Sequence, residues 1–317
     1  MSRGVMNRSA AVKLIVAGCI GATAAAPRRA TAQVQKLRVA GIPIDIAGAA
    51  YYALDQGFFS KYGLDVEIVQ LANGAVVAAA VAGGSIDIGN GNSVAMATAH
   101  EHGIPFKLIA PSGAYNKNDP TSGLVVQEGS TIKTASDLNG KVIGVNGLRN
   151  IAEIQTRAWI DKNGGNSSTA QFIEMSFAEI GPGVLSGRAA AGEIEEPQLD
   201  AALASGLRSI GSPGDAIAPV WIEGGYFCNA SFAEEHPDIV KKVALAIRDA
   251  NDWANKNHAA AWGILAKYSK ATIVPKHRVY YPARLDAAQL QPLIDAAARY
   301  GVLKATFPAS DLFVQGL

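Results

Sequence analysis

The sequence predicts an α/β protein built on parallel sheet, and three observations carry that prediction. Short apolar or alternating runs (Val39–Ile42, Leu64–Leu71, Ile86–Gly89) alternate with helical stretches rich in small apolar residues. Glycines close those stretches at Gly63 and at Gly83-Gly84. The ends of the strands carry polar tips, Pro43–Asp45, Asn73-Gly74 and Asn90–Ser93, each feeding a helix. Strands and helices alternating this closely call for parallel neighbours, with ligands held beyond the carboxyl ends of the strands.

In chain order, Val39–Ile42 reads as the first strand and Ala49–Tyr62 as a helix. Leu64–Leu71 alternates as a half-buried strand does, Asn73-Gly74 opens a second helix, and Ile86–Gly89 makes a third strand. Asn90–Ser93 then opens the next helix. Phe106–Ala110 and Leu124–Gln127 are strands on either side of a polar loop, Ser112–Ser122. Ser136–Val145 turns into a strand, followed by the tip Asn146–Asn150 and an amphipathic helix, Ile151–Asn163. Gln171–Met175 is a strand, Gly181-Pro182-Gly183 marks a glycine-rich segment, and Ser209–Pro219 reads as loop. Val220–Asn229 is strand-like, and Ser231 with Glu234 makes a capping box. Ile239, Val243, Ile247, Ala250 and Trp253 recur at three- and four-residue steps, so Pro237–Lys256 is an amphipathic helix with its proline in the tolerant first turn. His258–Tyr268 and Ala287–Tyr300 are helices, the last capped by Asp286 and ended by Gly301.

The 317 residues, 49% apolar and 17% charged, suffice for one or two domains with a substantial core. The first 32 residues hold Arg3, Arg8, Lys13, Arg28 and Arg29 and no acid. Lys13 precedes the small apolar run Leu14–Ala26, and Ala30-Thr31-Ala32 precedes Gln33. That pattern describes a secretory signal peptide, residues 1–32, cleaved after Ala32 into a periplasmic product. A run this short falls well below the length that spans a bilayer. Val16-Ala17-Gly18-Cys19 resembles a lipoprotein box that would leave a lipid on Cys19, but only five apolar residues separate Lys13 from Cys19. Cleavage leaves 23 basic residues against 27 acidic ones, a net charge of −4. A mildly acidic body without a basic cluster argues against nucleic acid and anionic membrane surfaces as partners. Cys228 alone remains, so no intrachain disulfide forms.

Five words stand in order along the chain: YYALDQGFFSKYGLDVEIV (51–69), AAAVAGGSIDIGN (78–90), DLNGKVIGV (137–145), GRAAAGEIEEP (187–197) and PDIVKKVALAIRDANDWANKN (237–257). By these words the chain resembles the periplasmic substrate-binding proteins of the taurine, sulfonate and thiamine-precursor type, which feed ABC importers. The resemblance implies a type II two-lobed periplasmic binding protein, with two parallel-sheet-based lobes joined by two crossing strands. The crossings are expected near Thr121–Gln127 and Ala218–Phe227, giving one lobe of residues 34–122 plus 224–317 and another of 123–223. It further implies a monomer without cofactor that hands a small molecule to an ABC permease in the inner membrane. Ala190 departs from the family word, which usually carries an acid there, whereas Glu196-Pro197 is kept. The cysteine-rich word of the pyrimidine-synthase branch is absent, which removes the main reason to expect an enzyme.

The expected ligand is a small organic anion, a sulfonate or carboxylate that is allowed to be aromatic, because helix starts offer unpaired N–H groups and partial positive charge. Arg149 is the sharpest candidate, since its guanidinium fork suits such a group, although a helix start is a poor place for a cation. Asn73, Asn90, Asn92 and Ser93, like Asn146 and Asn150, either donate to ligand or cap their own helices. Gly74 and Leu148 belong to the same tips. Pro43, Ile44 and Asp45 form the first tip, where Asp45 orders a turn or meets a ligand amine. Tyr51, Tyr115, Trp221, Tyr226 and Phe227 cover ligand or fill the core, with Tyr226 favoured by the resemblance. Glu196 binds ligand or orders its turn.

The alternatives are an enzyme on the same scaffold, for which Cys228 is the only recruit, and a module that presents ligand to a receptor. None of the histidines (His100, His102, His236, His258, His277) stands at a metal-ligand spacing, and no nucleophile elbow or phosphate-binding glycine motif occurs.

Overall fold

The computed structural model describes residues 36–71, 74–269 and 274–317. The expected signal peptide, Cys19 and Asn73 lie outside these residues.

The chain begins with β1 (Leu37–Gly41), α1 (Ala49–Asp55), α2 (Phe58–Lys61) and β2 (Val66–Gln70). The single helix expected at 49–62 is broken, because Gly57 turns the backbone to a φ of +72° between α1 and α2. Next come α3 (Gly74–Ala82), β3 (Gly89–Asn92), α4 (Ser93–Glu101), β4 (Phe106–Pro111) and β5 (Ala114–Asn116). β3 sits later than its apolar residues suggest, so Asn90 and Asn92 are strand residues and not loop. Its place is set by backbone pairing, since Gly89–Asn92 lies along the strand Gly224–Asn229.

The next group comprises β6 (Ser122–Gln127), β7 (Val142–Val145), α5 (Ile151–Lys162), β8 (Gln171–Glu174), α6 (Phe177–Leu185), β9 (Ala191–Glu195), α7 (Gln198–Ala204) and β10 (Leu207–Gly211). α6 occupies the segment read as glycine-rich loop. Ser176 and Glu179 form a capping box that starts it, and Ile180 and Val184 are fully buried, which outweighs Pro182 in its interior. β11 (Val220–Ile222) and β12 (Gly224–Asn229) follow. They lead to α8 (Ala230–Glu235), α9 (Pro237–Lys256), α10 (His258–Ser269) and α11 (Ala287–Arg299). Asn229, not Ser231, caps α8.

β6 to β10 form one five-stranded sheet in the order β10-β6-β9-β7-β8. The other strands pair as β1-β2, β3-β12-β4 and β11-β5. The sheets are mixed rather than all parallel. β7 is parallel to β8 and β9, and β1 to β2, as strand–helix–strand connections demand. β6 is antiparallel to β9 and β10, and β12 to β3 and β4. The chain reaches β6 from β5 and β12 from β11, in neither case over a helix packed on the same sheet.

Alternation along β6 shows how the five-stranded sheet is filled. Leu124 and Val126 pack with Ile143, Trp159 and Ile160 on one face, while Val125 packs with Ile180, Val184 and Leu199 on the other. Helices thus cover both faces, as a sheet with parallel pairs requires. α9 buries Val240, Val243, Ile247, Ala250 and Ala254 in the core beside α1, α2 and β4.

Candidate functional site

The polar tips meet around a cleft made of two adjoining cavities, of about 150 and 400 Å³, whose walls share Ile44, Ile46, Phe177, Glu195 and Glu223. Four helix starts open on the larger cavity: Gly74 of α3, Asn92 before α4, Asn150 before α5 and Ser176 before α6. Asn92 accepts from the Ala95 amide at 2.8 Å and Asn150 from that of Ile151 at 2.7 Å, so both cap their helices while lining the wall. Asn146 lies on the same wall, and so does Asn90, which is 5% exposed and whose amide nitrogen meets no acceptor.

The smaller cavity is walled by Pro43, Ile44 and Asp45 on one side and Glu195, Glu196 and Pro197 on the other. Asp45 is buried and fully engaged. Arg278 Nε and Nη2 approach its carboxylate at 2.8 and 2.5 Å, the Val279 amide donates at 3.2 Å and the Tyr281 hydroxyl lies 2.9 Å away. Arg278 Nη1 also donates to the His258 carbonyl, and its guanidinium lies 5.3 Å from the centre of the Trp262 ring. Nothing local in the sequence marks Arg278 as the partner of Asp45. Asp45 therefore holds the tip in place through an ion pair rather than through a local turn alone.

Glu196 serves two directions. One carboxyl oxygen accepts from the Asp200 amide at 3.3 Å, which orders the first turn of α7, and the other has no partner. Burial pushes its carboxyl up to about 7. Glu195, one residue earlier, is likewise pushed up to about 7 by desolvation. Glu223 is 7% exposed, and burial raises it well above the usual carboxylate range, with the charges of Glu195 and Asp45 adding to the effect. Its backbone is pinned, because the Ser93 amide donates to the Glu223 carbonyl at 2.8 Å and Glu223 N–H to Gly113 at 3.1 Å. Ser93 Oγ donates to Ile222 at 3.1 Å, so Ser93 positions Glu223 and does not itself face the cleft.

Several expected residues point elsewhere. Arg149 is exposed, has a φ of +54°, and donates through Nη2 to the Gly301 and Val302 carbonyls at 3.0 and 2.8 Å. Its guanidinium thus covers the end of α11, where a cation is favoured, and is absent from both cavity walls. Leu148 is 46% exposed and outside both walls. Tyr226 is fully buried, donating to the Ala47 carbonyl and accepting from the Ala50 amide, so its hydroxyl secures α1. Tyr51 packs on Tyr268 with ring centres 4.4 Å apart, Tyr115 stacks on Trp221, and Phe227 sits in the core. Burial raises the Cys228 thiol to about 12, which suits packing and not nucleophilic chemistry. Among the described residues no cluster of three or more His, Cys, Asp or Glu could hold a metal ion.

Glu195, Glu223, Ser112, Ser176 and Phe177 join the site without having been singled out in the sequence. For two of them a signal was available: Glu195 ends β9, where ligands gather, and Glu223 is a lone charge in the apolar run Val220–Asn229.

The NMT1/THI5-like family model matches residues 45–261. A Brucella abortus chain described only provisionally as a binding protein is 24% identical over 220 residues, which is 69% of this chain and 66% of that one. The 4-amino-5-hydroxymethyl-2-methylpyrimidine phosphate synthase of Saccharomyces cerevisiae is 25% identical over 67% of this chain and 64% of its own. The chain thus spans slightly under two thirds of these curated relatives. Among solved structures, the periplasmic aliphatic sulphonate binding protein SsuA of Escherichia coli superposes with a TM-score of 0.70 at 18% identity, over 88% of this chain and 92% of that one. The ligand-binding component of an ABC-type import system from Staphylococcus aureus gives 0.75 at 14% identity, over 89% and 96%. The fold is that of the two-lobed periplasmic binding proteins. With its polar helix starts gathered on one cleft and more than half of its length under the family model, the chain belongs to the NMT1/THI5-like family.

Proposed function

We propose that the protein is the extracytoplasmic solute-binding component of an ABC importer, which captures a small organic solute in the cleft and delivers it to a permease. One observation carries this reading: the cleft wall is drawn from two separate strand groups, with Asn90, Asn92 and Ser112 on one side and Asn146, Asn150, Ser176 and Glu195 on the other. A solute touched from both sides favours the closed arrangement of a hinged pair, so binding becomes a change of shape that a transporter can recognise. In this reading the lobes are residues 34–122 plus 224–317 and residues 123–223, and the mature chain is secreted after cleavage near Ala32. Micromolar capture requires about −8 kcal/mol, so several helix starts and at least one stronger contact must act together.

The organic-anion reading draws support from the sulphonate-binding neighbour and from the amide-rich helix starts. The wall itself opposes it, since no Lys, Arg or His lines either cavity among the described residues while several carboxyl groups do. A second reading, an enzyme on this scaffold, rests on the 25% identity to the yeast synthase.

Thermal-shift and calorimetric screening of the mature protein against sulfonates, carboxylates, amines and pyrimidines should yield a ligand with micromolar or tighter Kd that is recovered unchanged. No ligand in any class defeats the solute-binding reading, and recovery of a converted product favours the enzyme.

A further inference from the structure

Two carboxyl groups at the junction of the cavities have no partner. Glu195 closes β9 and Glu223 is the residue between β11 and β12, and both line both cavities. Among the described residues neither side chain takes a hydrogen bond or forms an ion pair. Glu195 is half-buried and Glu223 is 7% exposed, so both carboxyl groups face the cavity with much of their water removed, and native proteins seldom leave such a group idle. The cations nearby do not answer them. Arg278 is bound to Asp45 and to the His258 carbonyl, and Arg149 to the end of α11. Glu193 lies fully buried with one oxygen on Gln155 at 3.0 Å and the other without a partner, and Glu196 keeps one oxygen free. Independently of these acids, the buried Asn90 amide on the larger cavity also lacks a partner, as expected where a ligand completes the site.

Resting on the solute-binding reading above, we infer that the cleft takes a solute carrying a protonated nitrogen, such as an ammonium, an amidinium or a basic heterocycle, held between Glu195 and Glu223. A cation supplies both missing partners at once, with charge-assisted hydrogen bonds to two carboxylates. The helix starts around the larger cavity remain free to meet oxygens elsewhere on the same molecule. A solute with only an anionic group would instead set its charge against desolvated acids.

This assignment has a proton signature. Burial raises both carboxyl groups, Glu195 to about 7, so they keep protons further toward neutral pH than free carboxyls do, and an incoming cation favours their ionised form. Binding therefore releases protons, and affinity rises with pH through about 7, the value to which Glu195 is raised. The other titratable groups around the pair are Glu193, Glu196 and the Asp45–Arg278 ion pair. An anion would reverse the sign and draw protons in.

The test uses the mature protein and three probe classes: cations (benzamidine, cadaverine), amphoteric molecules (aminoalkyl sulfonates, amino acids) and pure anions (benzoate, alkyl sulfonates). Calorimetry in two buffers of different ionisation enthalpy counts protons. The expected result is binding in one of the first two classes, with proton release. Glu223→Gln and Glu195→Gln should each lower that affinity at least tenfold while melting no lower than the parent. Binding confined to pure anions, proton uptake, or affinity untouched by both substitutions overturns the assignment and leaves the solute-binding reading standing. Silence in all three classes overturns both.

Discussion

Replacing Arg278 by methionine tests the architecture of the first tip directly. Arg278 and Asp45 are 7% and 4% exposed, and the pair is bidentate, with N···O distances of 2.8 and 2.5 Å. Methionine keeps most of the volume but leaves the Asp45 carboxylate buried with only neutral donors, the Val279 amide and the hydroxyls of Tyr281 and, at 3.5 Å, Tyr52. Removing one partner of a buried pair costs about 3–5 kcal/mol, because the survivor is desolvated and uncompensated. At roughly 2–4 °C per kcal/mol for a chain of this size, the melting temperature should fall by about 6–20 °C. Circular dichroism melts of the parent, Arg278→Met, Asp45→Asn and the double variant close a cycle. The double variant should recover most of the loss, since no unpaired charge then remains. A loss below about 1 kcal/mol, the scale of an exposed pair, or simple additivity across the cycle would refute this account. Because Ile44 and Asp45 line the smaller cavity, ligand affinity should fall with stability in the single variant.

Two further outcomes follow from the same geometry. Arg149→Ala removes the hydrogen bonds to the Gly301 and Val302 carbonyls, so it should cost about 1 kcal/mol in a melt while changing ligand Kd less than threefold. A tenfold loss of affinity would return the guanidinium to the site. Glu195 and Glu196 are both raised to about 7 from 4.5, so the folded, unliganded state binds more protons than the unfolded chain across that window. Stability is then fully present below about 4.5 and is lost as pH rises through about 7. The unliganded protein should melt lower at about pH 8 than at about pH 5, and Glu196→Gln should flatten that slope. A profile that rises over this range contradicts the burial of these acids.

What the sequence disclosed and what it hid divide along the range of the interactions involved. α9 was legible to its last residue, and α11 with its Asp286 cap and Gly301 stop, because amphipathic spacing and capping are decided within a few residues. The tips carrying Asn92 and Asn150 were legible for the same reason, since a cap is a local bond and a strand's end is a local position. β3 was misplaced because Gly89–Asn92 owes its strand to β12, far along the chain, and has no apolar pattern of its own. α6 was missed where a glycine–proline motif outweighed, in the reading, a capping box and two buried aliphatic residues.

The electrostatics of the cleft lie at the far end of that scale. Asp45 finds its cation 233 residues later, a separation over which no spacing rule operates. Arg149 looked like the charged donor because it stands at a helix start beside the expected mouth. Its fork is drawn instead to the Gly301 and Val302 carbonyls just past α11, two acceptors beside the negative end of that helix. With that one cation removed and Arg278 neutralised by Asp45, the sign of the cleft changes. Glu195 and Glu223, each unexceptional in its own segment, become the dominant charges only when β9 and the β11–β12 junction are brought to the same wall. Helices and caps thus followed from local pattern, whereas the charge that the cleft presents depends on which ion pairs the folded chain completes and which it leaves open.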